Sequence, residues 1–452
     1  MSQEMQKGNK MGYMPIPKLL FEMSTPIIIS MLVQALYNIV DSIFVAQVNE
    51  EALTAVSLVF PIQNLLIAIA IGTGVGINAL LSRSLGEKNY KNANLAARNG
   101  IFLAVCSAIV FAVFGAAFAT LFFDLQTQDT QIRTYGIQYM SIISLFSIAP
   151  FMQVTMERLL QSTGRAFLSM LTQGLGAIIN LILDPILIFG LFGFPRLEAA
   201  GAAIATVIGQ FAGMLLGLYF NAKYNEDISI NMKKFRPDKK IIGHIYRIGV
   251  PSIFVQAIGS VMTFGINKIL LIFTPTATAV FGVYFRLQSF VFMPVFGLNS
   301  GLVPIVAYNY GAGNRKRIMA AIKLSIFSAV AIMLLGLACF QLLAPQLLHI
   351  FNASQDMLEI GIPALRIISL SFIFAGYCIV VGSVFQALDN AMYSLINSIS
   401  RQLLALLPIA YIFAKFFGLQ AVWWSFPLAE IVSFVLTTIF FRNIYQKKIR
   451  HI

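Results

Sequence analysis

The sequence predicts an all-α membrane protein of twelve transmembrane helices, arranged as two six-helix bundles related by a pseudo-two-fold axis along the membrane normal. Three observations predict it: apolar blocks long enough to cross a bilayer, loop charges that alternate along the chain, and a repeat that superimposes one half on the other. Of the 452 residues, 58% are hydrophobic and only 11% charged, with a mean hydropathy of +0.81. That composition excludes a soluble multidomain protein. The blocks run for about 20 to 30 residues, enough at about 1.5 Å per residue to cross roughly 30 Å of hydrocarbon. No period-two alternation runs through them, so a β-barrel is excluded and each helix must satisfy its own backbone.

The elements follow in order. Met1 to Lys18 is polar and basic, and the block after it is too long and lacks the small-residue cleavage site of a secretory signal, so it reads as a retained cytoplasmic tail. Spans are expected near residues 18–47, 52–82, 92–123, 132–160, 166–191 and 199–222, then 241–271, 277–308, 318–350, 357–386, 392–416 and 420–443. The polar stretch 223–240, with Lys233, Lys234, Arg236, Pro237, Lys239 and Lys240, separates an N-terminal lobe, 1–222, from a C-terminal lobe, 241–452. Basic residues gather on alternate connections: Lys7, Lys10 and Lys18; Arg83, Lys88, Lys91 and Arg98; Arg165; Lys223 to Arg247; Arg315, Lys316, Arg317 and Lys323; and Arg442 to Arg450. The intervening loops carry Glu50, Glu51, Asp124, Asp129 and little positive charge. The positive-inside rule therefore places both termini in the cytoplasm, and the net charge of +13 reports topology, not nucleic-acid binding.

A shift of about 225 residues superimposes the punctuation without gaps, bringing Pro26 onto Pro251, Gln63 onto Gln288, Gly72 onto Gly297, Gly76 onto Gly301, Gly86 onto Gly311, Asn89 onto Asn314 and Gln161 onto Gln386. Equal span number and orientation make this a parallel repeat, with a central cavity expected between the lobes. The pairs Gly72/Gly76 and Gly297/Gly301 put small residues on one helical face, where close packing is their default role.

An ionisable group within a span costs at least about 2.5–3.5 kcal/mol, so each needs a reason. Asp41 shares a face of the first span with Tyr37 and Gln34, a candidate cavity wall. Asp184 shares a face of the fifth span with Asn180 and precedes Pro185. Such oxygens suit a hard cation such as Na⁺, and a carboxylate pair in low dielectric equally suits a proton; hydrogen bonding to a neighbouring helix is the structural alternative. In the second half, Lys268 and Arg286 are further cavity candidates, beside Arg366, Arg401 and Glu430. Pro26 removes one helix hydrogen bond and offers a point of bending. Cys106, Cys339 and Cys378 lie far apart in apolar blocks and read as small hydrophobes. The 39 Phe and 18 Met suit either a permissive cavity or lipid-facing packing. No zinc-protease or nucleophile-elbow motif occurs, so no enzyme is expected.

The six-plus-six repeat, the stretch Pro26 to Asp41, the run Arg83-Ser84-Leu85-Gly86 and the element Asn180-Leu181-Ile182-Leu183-Asp184-Pro185 together resemble the multidrug and toxic compound extrusion (MATE) family, over nearly the whole chain and in its DinF-like and MepA-like prokaryotic branch. The resemblance implies an antiporter of the bacterial cytoplasmic membrane, expected as a monomer, that exports amphipathic, often cationic drugs by alternating access against inward Na⁺ or H⁺. It implies no cofactor beyond that coupling ion. It assigns a cation site to Asp41, Asn180, Asp184 and Thr206, with Asp41 and Asp184 as the metal ligands if the ion is Na⁺. The branch that places acidic residues on the seventh and eighth spans is not matched, because Lys268 and Arg286 stand there. A lipid-linked oligosaccharide flippase of the same superfamily is the alternative, supported by Lys268, Arg286 and Arg401.

Overall fold

The structure is a computed structural model describing residues 8–233, 235–351 and 353–452; Lys7 and Lys234 lie outside the described residues. After a short helix, Lys10–Tyr13, come the long helices α1 (Ile16–Ala46), α2 (Glu50–Gly86) and α3 (Tyr90–Gln126). Then follow α4 (Thr130–Leu145), α5 (Ile148–Ser162), α6 (Ala166–Phe189) and α7 (Glu198–Lys223). The second half continues with α8 (Lys239–Leu270), α9 (Pro275–Gly311), α10 (Arg315–Leu342), α11 (Gln355–Ser369) and α12 (Phe372–Ala387), and ends with α13 (Ala391–Phe417) and α14 (Leu419–Ile449). Ten of these are individually long and apolar enough to cross a membrane, and α4+α5 and α11+α12 each make one further, bent span, giving twelve.

The fourth and tenth spans, expected near 132–160 and 357–386, are bent by 45° and 49°. At each, tight bonds from residue i to i−3 interrupt the regular ladder: Ser147 N to Ser144 O at 3.2 Å, and Ser371 N to Ile368 O at 3.0 Å. The serine hydroxyls also donate to backbone, Ser147 Oγ to Ala108 O of α3 and Ser371 Oγ to Ile368 O.

The repeat proves to be a repeat of turns. Asn89 and Asn314 each cap the following helix, accepting from Asn92 N and Arg317 N respectively. The residues before them, Lys88 and Gly313, are both left-handed, as are Gly164 and Asp389 ahead of α6 and α13.

Contacts divide the chain into two compact units, but not at the positively charged stretch. One unit combines Met1–Ile28 with Val250–Ile452 and the other is Ile29–Gly249. The divisions fall inside α1 and α8, beside Pro26 and Pro251, so the contact units differ from the lobes 1–222 and 241–452 drawn from the sequence repeat. The cause is close backbone packing at the repeated glycines. In the second unit a Cβ on Gly76 would stand 2.2 Å from Ile245 O, and one on Gly249 3.1 Å from Gly72 O, so the start of α8 docks on α2. In the first, a Cβ on Gly301 would stand 2.5 Å from Ser24 Oγ, and one on Gly297 2.9 Å from Ile28 Cα, docking the start of α1 on α9. The tail is likewise tied down, because Arg317 Nη2 donates to Met11 O at 3.0 Å and Met14 O at 2.7 Å, and Asn309 Nδ2 to Met11 O at 3.0 Å.

A candidate cation site

The site lies within the Ile29–Gly249 unit and is built on the seam between α6 and α7. Along α7, Gly201, Gly209, Gly213 and Gly217 form a stripe that lets the helix touch backbone and side chains of α5 and α6. A Cβ on Gly209 would stand 2.5 Å from Gly176 O and 3.1 Å from Asn180 Cβ, so no larger residue fits there without parting the helices. That approach sets the Asn180 amide 3.3 Å from Thr206 Oγ1 and, one turn on, 3.3 Å from Asp184 Oδ1. With Nδ2 directed at Asp184, Oδ1 is free to accept from the Thr206 hydroxyl, an orientation that satisfies both partners. Asp184 is fully buried and Asn180 nearly so.

Facing them from α1 is Asp41, whose carboxyl group is within hydrogen-bonding reach of Asp184. Its Oδ1 is buried without a partner. Tyr37, one turn earlier, lies near Gln34 and borders the same acidic pair. The four residues expected as a cation site, Asp41, Asn180, Asp184 and Thr206, are thus brought together with the two expected neighbours.

Two further residues were not foreseen. Tyr139 of α4, 2% exposed, stands beside Asp41 and Tyr37 and accepts from Gln63 Nε2 of α2 at 3.1 Å. It is held there by Gly136 one turn earlier, over which the Phe123 ring lies so closely that a Cβ would meet it at 2.0 Å. Gln63 was visible as a marker of the repeat, whereas a search for charged residues in spans passes over tyrosine.

Chemically, two carboxylates side by side in an apolar interior repel each other unless a proton or a cation lies between them. The oxygen-only donor set, two carboxyl groups, an amide, a hydroxyl and a nearby phenol, suits a hard monovalent cation or a shared proton. A separate polar network toward α5 is satisfied internally: Glu157 accepts from Gln153 Nε2 at 3.0 Å and Thr172 Oγ1 at 3.3 Å, and Arg158 donates to Gln161 Oε1 at 3.0 Å. Lys268 and Arg286 belong to the other unit and are both exposed; the Lys268 ammonium sits 5.6 Å from the Phe264 ring centre. Pro26 also lies in that unit, within an uninterrupted α1.

Comparison with known proteins agrees with this architecture. The MatE family model matches twice, over residues 26–186 and 251–412, so that Pro26 and Pro251 open the two matched stretches, at the displacement of the repeat. The multidrug export protein MepA of Staphylococcus haemolyticus is 28% identical over 417 residues, covering 92% of this chain and 91% of its own. MepA of Staphylococcus aureus strain MSSA476 is 26% identical over 419 residues, with the same coverage. Among solved structures, a multidrug-resistance MATE transporter of the MOP superfamily in an outward-facing conformation superimposes with a TM-score of 0.92 at 25% identity, covering 99% of both chains. A MOP superfamily transporter from Pyrococcus furiosus, described as having a binding pocket of reversed polarity, gives 0.90 at 26% identity over 98% of this chain and 99% of its own.

Proposed function

Because the chain belongs to the MatE family, we propose that it is a multidrug efflux transporter of the bacterial cytoplasmic membrane, with both termini cytoplasmic, that drives export of amphipathic, often cationic small molecules by inward movement of Na⁺ or H⁺. The observation that carries the coupling is the contact between Asp41 on α1 and Asp184 on α6, flanked by Asn180 and Thr206, with one Asp41 oxygen buried and unpartnered. A cation or proton arriving there draws α1 toward α6; its departure releases α1. Supporting such a motion, α1 is little enclosed, with 6% of its most apolar window buried against 72% for α2, and Pro26 contributes no N–H to its otherwise continuous helix.

The driving force suffices. One charge moving inward through 100 mV releases about 2.3 kcal/mol, and each tenfold gradient of a neutral cargo requires about 1.4 kcal/mol. A monocationic cargo exchanged for one cation is electroneutral and is driven by the ion's chemical gradient alone. The flippase reading draws on exposed Lys268 and Arg286 but less on Arg401, which is paired with Glu430. The deciding experiment is efflux of a fluorescent cation from proteoliposomes under separately imposed pH and Na⁺ gradients, with the original chain and Asp41→Asn. Gradient-driven efflux lost in the variant is the expected result. Undiminished coupling in Asp41→Asn excludes the site, and translocation of lipid-linked sugar with no response to either gradient favours the flippase.

A further inference from the structure

The unit containing Val250–Ile452 holds a charge pair, buried at Glu430 and partly exposed at Arg401, that the coupling site does not use. Arg401 Nη1 on α13 donates to Glu430 Oε2 on α14 at 3.0 Å, near the middle of both helices. Glu430 is 6% exposed, and its second oxygen, Oε1, is buried without a partner. One turn away, Asn397 Nδ2 donates to Ser433 Oγ at 3.0 Å while Asn397 Oδ1 is likewise buried and unpartnered. Tyr284 on α9 and Cys378 on α12 are the other titratable side chains beside the pair. Arg401 also lies in a π-helical stretch, Ser400–Leu406, a widened turn of the kind that recurs at functional positions.

The repeat says what this pair corresponds to. α6 and α13 start at Ala166 and Ala391, each two residues after a left-handed residue, Gly164 or Asp389. In that register Arg401 stands where the first half has Gly176, which touches Gly209 of α7 one turn from Asn180. The seam between the fifth and sixth spans therefore faces two carboxyl groups, and the seam between the eleventh and twelfth sets one carboxylate against a guanidinium.

We propose that Arg401 is a tethered cation. Its guanidinium meets, permanently, the charge requirement of Glu430 that in the first half is met by an exchangeable Na⁺ or H⁺. The C-terminal half then contributes no coupling ion, and the cation-to-cargo ratio is set at Asp41 and Asp184 alone. This rests on the coupling reading above. The physical reason is that a buried carboxylate must be paired, and a partner fixed to the adjacent helix outcompetes ions in solution. A free cation added to the neutral pair would leave a net positive charge in a low-dielectric seam.

The test uses the full chain, purified in detergent and melted in choline, in Na⁺, in millimolar guanidinium and from acid to neutral pH. Asp41→Asn/Arg401→Ala is expected to melt lower than Asp41→Asn and to recover with guanidinium, and with Na⁺ or acid. Asp41→Asn alone, and Asp41→Asn/Arg401→Lys, are expected not to respond to guanidinium. In proteoliposomes, Glu430→Gln is expected to leave the cation-to-cargo ratio unchanged. A double variant no more cation-responsive than Asp41→Asn, or a lower ratio in Glu430→Gln, overturns the proposal; if Arg401→Ala does not fold, the Glu430→Gln ratio decides. Intact coupling in Asp41→Asn sinks the coupling site instead, and the guanidinium response still judges Arg401.

Discussion

Gly76→Ala tests the packing that joins the start of α8 to α2. The new methyl carbon would lie 2.2 Å from Ile245 O and 3.0 Å from Ile245 C, where ordinary contact begins near 3.4 Å. Both atoms are backbone in a regular helix, so neither can rotate away, and the helices must part by about 1 Å. Overpacking of this kind costs about 1–3 kcal/mol. At roughly 2–4 °C per kcal/mol, the melting temperature falls by several degrees. The control is Gly243→Ala, on α8 itself, where nothing lies within 4 Å of a Cβ and the better helix propensity of alanine contributes up to about 1 kcal/mol of stability. Thermal unfolding in detergent, read by the first loss of monodisperse protein, compares the two. Gly76→Ala melting at or above Gly243→Ala would refute the argument that contact at this glycine holds α8 in place.

Thr206→Val keeps the shape of α7 but removes the hydroxyl that orients Asn180, so Na⁺- or H⁺-driven efflux should drop at least about tenfold while the melting temperature moves little, as gradient-driven flux and unfolding together would reveal. Tyr139→Phe deletes the acceptor of Gln63 Nε2 and is expected to cost about 1–2 kcal/mol, measured as a lower melting temperature; an unchanged value would mean that Gln63 finds another partner. Arg317→Ala removes the donor to Met11 O and Met14 O, so limited proteolysis should cut within residues 8–15 several-fold faster, whereas cutting at the original rate would show that the remaining ties, Asn309 to Met11 O and Lys10 to Glu22, hold the segment.

The spans were legible because apolar length is a direct physical requirement of a bilayer, and the turns because Asn89 and Asn314 perform the same capping at the same point of each half. Asp41 and Asp184 stood out because charge within a span demands a reason, and Asn180 because it shares a helix face with Asp184. Thr206 and the grouping of all four rested on family resemblance, since spacing along α6 says nothing about which face of α1 it meets. The bends at Ser147 and Ser371 lie within unbroken apolar runs that read the same straight or bent. Nor does hydrophobicity reveal which neighbour the first turns of α1 choose; that is decided by Gly297 and Gly301, whose partners Ile28 and Ser24 are distant in sequence.

Cutting the protein within 223–240 therefore separates two stretches of sequence without separating two self-sufficient folding pieces. The amino-terminal fragment carries away residues 8–28, which find their contacts among residues 250–452, and the carboxy-terminal fragment carries away 241–249, which find theirs on α2. Each fragment made alone exposes a groove that only the other's arm fills. Reassembly of separately made fragments, as in split-reporter designs, thus depends on an exchange of arms, and each is expected to be unstable until its counterpart is present.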